Sequence, residues 1–214
     1  MKKAIIFDLD GTLINTDSIT ISLINELREE EGLTPLSSEL IRPYLAVGGL
    51  ALIQKTVSNN DSIIQNTKYL QRLRLKISEQ KIDKNLLFPD VKFALKELSR
   101  NNIHLSICTN KASALTHKIL SDLDISVFFK TVIADGDLET RKPNQNNFLA
   151  CTRGLDLDKS EYLIIGDSRV DLELSKNSGI DFLAYDNREN FKFIEKFDGK
   201  VFKCYRELVK SVLN

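Results

Sequence analysis

The stretch "KKAIIFDLDGTLINTD", residues 2–17, decides the fold. Four apolar residues, Ala4 to Phe7, run straight into Asp8 and Asp10, with Gly11 and Thr12 directly behind. Carboxylates two apart on a strand point to opposite faces, so these two are not surface decoration of one kind. They stand where the apolar run stops, and that is where a sheet offers chemistry.

Four further short runs resemble the first: "IHLSICT" (103–109), "TVIA" (131–134), "YLIIG" (162–166) and "FLAY" (182–185). Their length, their Ile and Val content and their lack of alternation suit strands buried on both faces. Helical patterns lie between most of them. In "PDVKFALKELSRNN", Val91, Ala94, Leu95 and Leu98 follow a helical period, with Pro89 where the helix would begin. Further helices are expected near 112–123, 145–153, 170–178 and 205–213. Strands alternating with helices imply an α/β fold with a parallel sheet and right-handed crossovers.

Residues 17 to about 85 break this rhythm. "SITISLINELREEEG" reads as a helix closed by Gly32, and 61–82 as another with Ile63, Leu70, Leu73 and Ile77 on one stripe. The run "REEE" (28–31) reads as a solvated helix end. No strand is expected between Leu13 and Ile103. The division is therefore a core of residues 1–14 and 86–214, with a small helical insertion at 15–85.

Composition excludes several classes of partner. Thirty basic and thirty acidic residues cancel, so no global field argues for nucleic acid or a membrane surface. Cys108, Cys151 and Cys204 are widely spaced with no CxxC pair, which suggests neither a zinc site nor a disulfide framework. Buried free thiols in a reducing compartment are the expectation. The apolar run after the first two lysines breaks at Asp8, too early for a signal peptide, and no run could span a bilayer. The expected location is the cytoplasm.

The polar residues at the strand ends form a coherent set. Asp8 and Asp10 follow the first strand, Thr109 and Asn110 the second, and Asp167 and Ser168 the run "YLIIG", with Asp171 four residues after Asp167. Lys142 lies in "ETRKPNQ", shortly after "TVIA". In open parallel sheets ligands bind beyond the carboxyl ends of the strands, so these residues converge on one crevice. Clustered carboxylates raise one another's pKa unless a cation neutralises them. Hard oxygen donors without His or Cys suit magnesium, and a lysine with hydroxyl and amide donors suits a phosphoryl group. Phosphoryl transfer is largely positioning and charge neutralisation, which this set can supply. Taken singly, Asp-Gly is a turn and Asp167 a helix cap; their shared order and location are what single them out.

On these residues the chain resembles the haloacid dehalogenase-like hydrolase superfamily. The four motifs of that family correspond to "DLDGTL" (8–13), "TN" (109–110), the lysine of "RKP" (141–143) and "GDSRVD" (166–171), so the likeness spans essentially the whole chain. It implies a Rossmann-like three-layer core with a small all-helical cap domain inserted after the first motif. It implies Asp8 as nucleophile, through an aspartyl-phosphate, and Asp10 as the acid that protonates the leaving alcohol and then activates water. Thr109, with Asn110 beside it, would bind phosphoryl oxygens, and Lys142 would balance charge. Magnesium would be held by Asp8, the Asp10 backbone carbonyl and Asp167, with Asp171 ligating through water or orienting Lys142.

Dehalogenating members and transport ATPases of the superfamily lack an acid at residue 10, so Asp10 favours hydrolysis of phosphate esters. The segment "RPYLAVGGLALI" (42–53) is similar to the phosphoglycolate phosphatase-like subfamily, in which a glycine-containing cap turn helps select substrate. Arg42, Gly48 and Gly49 are the candidates there, with Arg42 suited to a substrate carboxylate or second phosphate. Close relatives tend to have "KPxP" where this chain reads "KPNQ", and the lysine is kept. The resemblance thus implies a magnesium-dependent phosphatase for a small phosphorylated metabolite, acting as a monomer or weak homodimer. The alternatives are a sugar phosphomutase of the same superfamily and a non-catalytic phosphate-binding regulatory protein.

Overall fold

"AIIF" forms β1 (Ala4–Phe7), and all four residues are buried. This is a computed structural model, and it describes residues 1–58, 61–80, 82–187 and 195–214. The other strands are β2 (His104–Ala112), β3 (Thr131–Asp135), β4 (Tyr162–Gly166), β5 (Asp181–Tyr185) and β6 (Val201–Phe202). All pair in parallel, in the order β3-β2-β1-β4-β5-β6. The order reverses between β1 and β4, the switch point where α/β sheets open a crevice. Phe7 is level with Ile107 of β2 and Ile165 of β4, so Asp8, Thr109 and Asp167 lie along one edge of the sheet, Thr109 where the pairing of β2 with β3 becomes irregular. The strand β6 has no counterpart among the sequence expectations: two residues between lysines are too short for a periodic signal.

The helices of the sheet unit are α5 (Val91–Arg100), α6 (Ser113–Asp122), α7 (Gln145–Cys151), α8 (Arg169–Ser178) and α9 (Tyr205–Leu213). Right-handed crossovers put α5 and α6 on one face and α7 and α8 on the other; α9 returns to pack on α5. Val91, Ala94, Leu95 and Leu98 are the buried positions of α5, as the period requires. The helix begins at Val91 rather than at Pro89, with Asp90 before it in a left-handed conformation. On the α7/α8 face Ala4, Ile6, Cys108, Phe148, Cys151, Ile164 and Leu174 share one core. Cys108 and Cys151 are buried free thiols, whereas Cys204 is half-exposed, contrary to expectation, because it precedes α9 at the surface. No helix among the described residues is long and apolar enough to cross a membrane.

The chain divides into two compact units, Met1–Asn15 with Asp83–Asn214, and Thr16–Ile82. Within the first, the outgoing and returning segments pair: Ile14 bridges Leu87 antiparallel, the Asn15 N–H donates to the Leu86 carbonyl, and the Phe88 N–H donates to Leu13.

The second unit is helical throughout its described residues: α1 (Asp17–Glu30), α2 (Ser38–Leu45), α3 (Gly49–Ile53) and α4 (Ile63–Glu79), with a π-helical turn at Gln54–Ser58. Its core gathers Leu23, Ile24, Leu27, Ile41, Leu52, Ile53, Val57, Tyr69 and Leu73. The expected stripe on α4 needs correction. Leu70, Leu73 and Ile77 pack inward, but Ile63 is 71% exposed at the first turn, and Asn66 and Tyr69 complete the buried face.

"REEE" is a solvated helix end only in part: Glu29, Glu30 and Glu31 are exposed at the end of α1, but Arg28 is not. Arg28 is buried and donates from Nε to the Thr34 carbonyl at 2.7 Å and from Nη1 to the Thr56 carbonyl. Glu30 and Glu31 pair with Arg72 of α4. Arg28 thereby ties α1 to the loop after it and to the π turn. Replacing it with Met leaves two inward carbonyls without their charged donor, and a loss of about 2 kcal/mol is expected in chemical denaturation.

Candidate active site

Asp8 is the first residue past β1, and Asp10 follows after one residue whose side chain, Leu9, is buried. Gly11 makes the turn with φ +78°, and a Cβ there would collide with the Asp167 carboxylate. Both a positive φ and a close approach therefore require glycine at this point. Thr12 is buried and donates from Oγ1 to Asp167 Oδ1 at 3.3 Å. This short turn welds the end of β1 to the end of β4.

The Lys142 ammonium lies between two buried carboxylates, 2.7 Å from Asp8 Oδ1 and 2.6 Å from Asp171 Oδ1. Its loop is clasped to β2 by Asn110, whose Oδ1 accepts from the Lys142 N–H at 2.9 Å while its Nδ2 donates to the Lys142 carbonyl at 3.2 Å. Asn110 thus spends its side-chain amide on holding the lysine loop. Thr109 is buried beside it, its hydroxyl accepting from the Lys111 N–H at 3.2 Å.

Asp167 is not helical, so its relation to Asp171 is not the helical turn that the four-residue spacing suggests. Asp167 is the first residue past β4, and Asp171 is the third residue of α8, where it closes a capping box with Ser168. Asp171 Oδ2 accepts from Ser168 Oγ at 2.6 Å and from the Ser168 N–H at 3.2 Å, which leaves Oδ1 directed at Lys142.

Carboxylate oxygens of Asp8, Asp167 and Asp171 lie within 4.8 Å of one another. The Asp10 side chain is outside this group; Lys111 Nζ donates to its Oδ1 at 2.9 Å and to its Oδ2 at 3.0 Å. Four carboxylates face two ammonium groups, leaving two negative charges, which one divalent cation would cancel. The donor set is all oxygen, with no His or Cys, and fits magnesium.

The electrostatics point the same way. Burial first, and the Asp171 charge second, push the Asp8 pKa up to about 7 against the pull of Lys142. Burial pulls Lys142 down, but Asp171 and then Asp8 more than offset it and hold the ammonium well above the ordinary lysine value. Between the ordinary value of 3.8 and about 7, folded Asp8 keeps a proton that the unfolded chain has lost. Its contribution to stability therefore fades as pH rises through about 7. A cation works in the opposite sense, because it needs the ionised carboxylate. Magnesium is expected to raise the melting temperature little at about pH 5.5 and by several degrees at about pH 8. Thermal melts with and without magnesium, across that range, check this.

Three residues of the site escaped the sequence reading. Lys111 directly follows "TN" and could have been suspected from the same strand-end rule. Asn187, two residues past β5, donates from Nδ2 to the Gly11 carbonyl at 2.7 Å and to Asp167 Oδ2 at 3.0 Å. Tyr205, on α9, is fully buried against Tyr185 and Phe202 and donates its hydroxyl to the Thr12 carbonyl at 2.6 Å. No pattern in the sequence links residue 205 to residue 12. Arg42, Gly48 and Gly49 belong to the Thr16–Ile82 unit: Arg42 lies in the last turn of α2, and both glycines take positive φ, Gly48 just before α3 and Gly49 as its first residue.

Comparison with known proteins adds three kinds of likeness. A family model described as haloacid dehalogenase-like hydrolase matches residues 5–185. A phosphoglycolate phosphatase from Photorhabdus laumondii is 28% identical over 180 residues, covering 83% of this chain and 77% of that protein. Among solved structures, a predicted phosphoglycolate phosphatase from Haemophilus somnus superposes with a TM-score of 0.82 at 23% identity, covering 98% of this chain and 97% of that one. A β-phosphoglucomutase from Clostridium difficile gives 0.78 at 20% identity, covering 97% and 93%. These two structural likenesses speak to the fold alone.

Proposed function

The chain belongs to the haloacid dehalogenase-like hydrolase family, and from that premise we propose that it is a magnesium-dependent phosphatase acting on a phosphate monoester of a small metabolite, phosphoglycolate phosphatase-like in its substrate. The observation that carries the reading is the Lys142 ammonium held between Asp8 and Asp171, beside Asp167. Such an arrangement neutralises a carboxylate nucleophile and a phosphoryl group together.

In this reading an Asp8 oxygen attacks phosphorus while the bond to the ester oxygen breaks, and Asp10 gives its proton to the departing alkoxide. Water then attacks the aspartyl-phosphate, its proton passing to Asp10, and phosphate leaves as Asp8 is restored. Thr109 donates to a phosphoryl oxygen, and Asn110 acts through the loop it holds. Asp8, Asp167 and Asp171 would hold the cation, whose part is to offset charge on the phosphoryl oxygens. The Thr16–Ile82 unit serves as the cap in this reading, with Arg42, Gly48 and Gly49 among the residues that choose the alcohol.

A panel of phosphorylated metabolites and an aryl phosphate, assayed for phosphate release with and without magnesium, tests the proposal. Release that depends on magnesium is expected, with phosphoglycolate among the better substrates. Isomerisation of a phosphosugar without release would favour the mutase alternative instead. Binding of phosphate without any turnover would favour a regulatory role.

A further inference from the structure

We propose that Lys111 reads the charge of the leaving group: its ammonium, held here by Asp10, passes to an anionic group on the alcohol half of the substrate and releases Asp10 to protonate the ester oxygen. The inference rests on the phosphatase reading and adds to it a residue that determines specificity.

The two lysines of the site divide its charge between them. Lys142 Nζ is engaged by Asp8 and Asp171, on the side where phosphorus would be attacked. Lys111 Nζ bonds, among the described residues, only Asp10, the group assigned to the departing oxygen. The Lys111 side chain is 9% exposed and that of Asp10 31%, so a largely buried lysine is paired with a more open carboxylate. A buried ammonium cannot give up its partner without a replacement, because an unpaired charge there is strongly disfavoured.

Asp10, however, has both oxygens turned to Lys111. A carboxylate so engaged must let one oxygen go, and take a proton on it from solvent, before it can deliver that proton to the ester oxygen. A second anion within reach of Nζ allows this while keeping the ammonium paired; a neutral alcohol does not. An ammonium has three donors, and Asp10 takes two of them, so the incoming group can bind before Asp10 leaves.

The placement suits a short substrate. The Lys111 N–H donates to Thr109 Oγ1 at 3.2 Å, which fixes the hydroxyl assigned to the phosphoryl group and the ammonium assigned to the leaving group on one segment of β2. The substrate class that satisfies both is a phosphate monoester whose alcohol bears a carboxylate close to the ester carbon.

The test compares two esters of similar size, 2-phosphoglycolate and 2-hydroxyethyl phosphate, by kcat/KM under saturating magnesium, with an aryl phosphate as reference. The wild-type protein should prefer the carboxylated ester by about tenfold or more. In Lys111→Met that ratio should fall to about one, with loss in kcat as well as KM for the carboxylated ester, and Lys111→Arg should keep a larger ratio than Lys111→Met. A wild-type ratio near one, with the aryl phosphate still hydrolysed, would overturn this inference and leave the phosphatase reading intact. So would an unchanged ratio in Lys111→Met, the result for a lysine that merely positions Asp10. Failure of the wild-type protein to hydrolyse any of the three would remove both readings together.

Discussion

Asp8→Asn is expected to lower the turnover of an aryl phosphate by about a thousandfold or more, with no loss of fold. The amide occupies the same space but cannot carry a phosphoryl group through the reaction. Its stability should hold because the carboxylate it replaces is disfavoured where it stands: burial and Asp171 both oppose its charge. Lys142 keeps Asp171 as partner at 2.6 Å, so no buried cation is orphaned. The discriminating measurements are steady-state hydrolysis with magnesium and a thermal melt without it. A variant that melts like wild type yet retains more than about one per cent of its turnover would refute Asp8 as nucleophile.

Lys142→Met should have the opposite signature, losing stability as well as activity. Removing the ammonium leaves Asp8 and Asp171 facing one another across a buried site, and breaking a buried pair from one side typically costs 3–5 kcal/mol. For a chain of this size that corresponds to a melting temperature lower by roughly 10 °C in the absence of metal. Turnover should fall by about a hundredfold or more, since charge on the phosphoryl group loses its fixed counter-ion. Magnesium should recover more of the melting temperature in the variant than in the wild type, because the cation takes over part of the neutralisation. Equal recovery in both would mean that cation and lysine do not share one electrostatic role.

Strand ends carried most of what could be read in advance. "AIIF" and "YLIIG" are strands at the bounds their apolar runs suggest, and Val91, Ala94, Leu95 and Leu98 are the inward face of α5. Such patterns are local, and burial enforces them. The exposed Ile63 and the buried Arg28 escaped for one reason: periodicity records apolarity, whereas burial in the helical unit follows partners distant in the chain. Arg28 finds carbonyls at residues 34 and 56, and neither announces itself as an acceptor. The bracing of the site by Asn187 and Tyr205 was illegible likewise, since a side-chain bond to a backbone carbonyl more than 170 residues away leaves no spacing to detect.

The stitched segments at residues 13–15 and 86–88 bear on how such a chain could diversify. Because Ile14 and Leu87 are already side by side in the sheet unit, the ends of everything between them are neighbours, and closing that gap needs no more than a short turn. The sheet unit is therefore a socket with a fixed pair of terminals. Whatever is spliced across them, longer, shorter or of another fold, leaves Asp8, Lys142 and Asp167 on a frame that need not be rebuilt. Under the proposed function, new substrates can then be tried at one splice point while the chemistry is inherited unchanged.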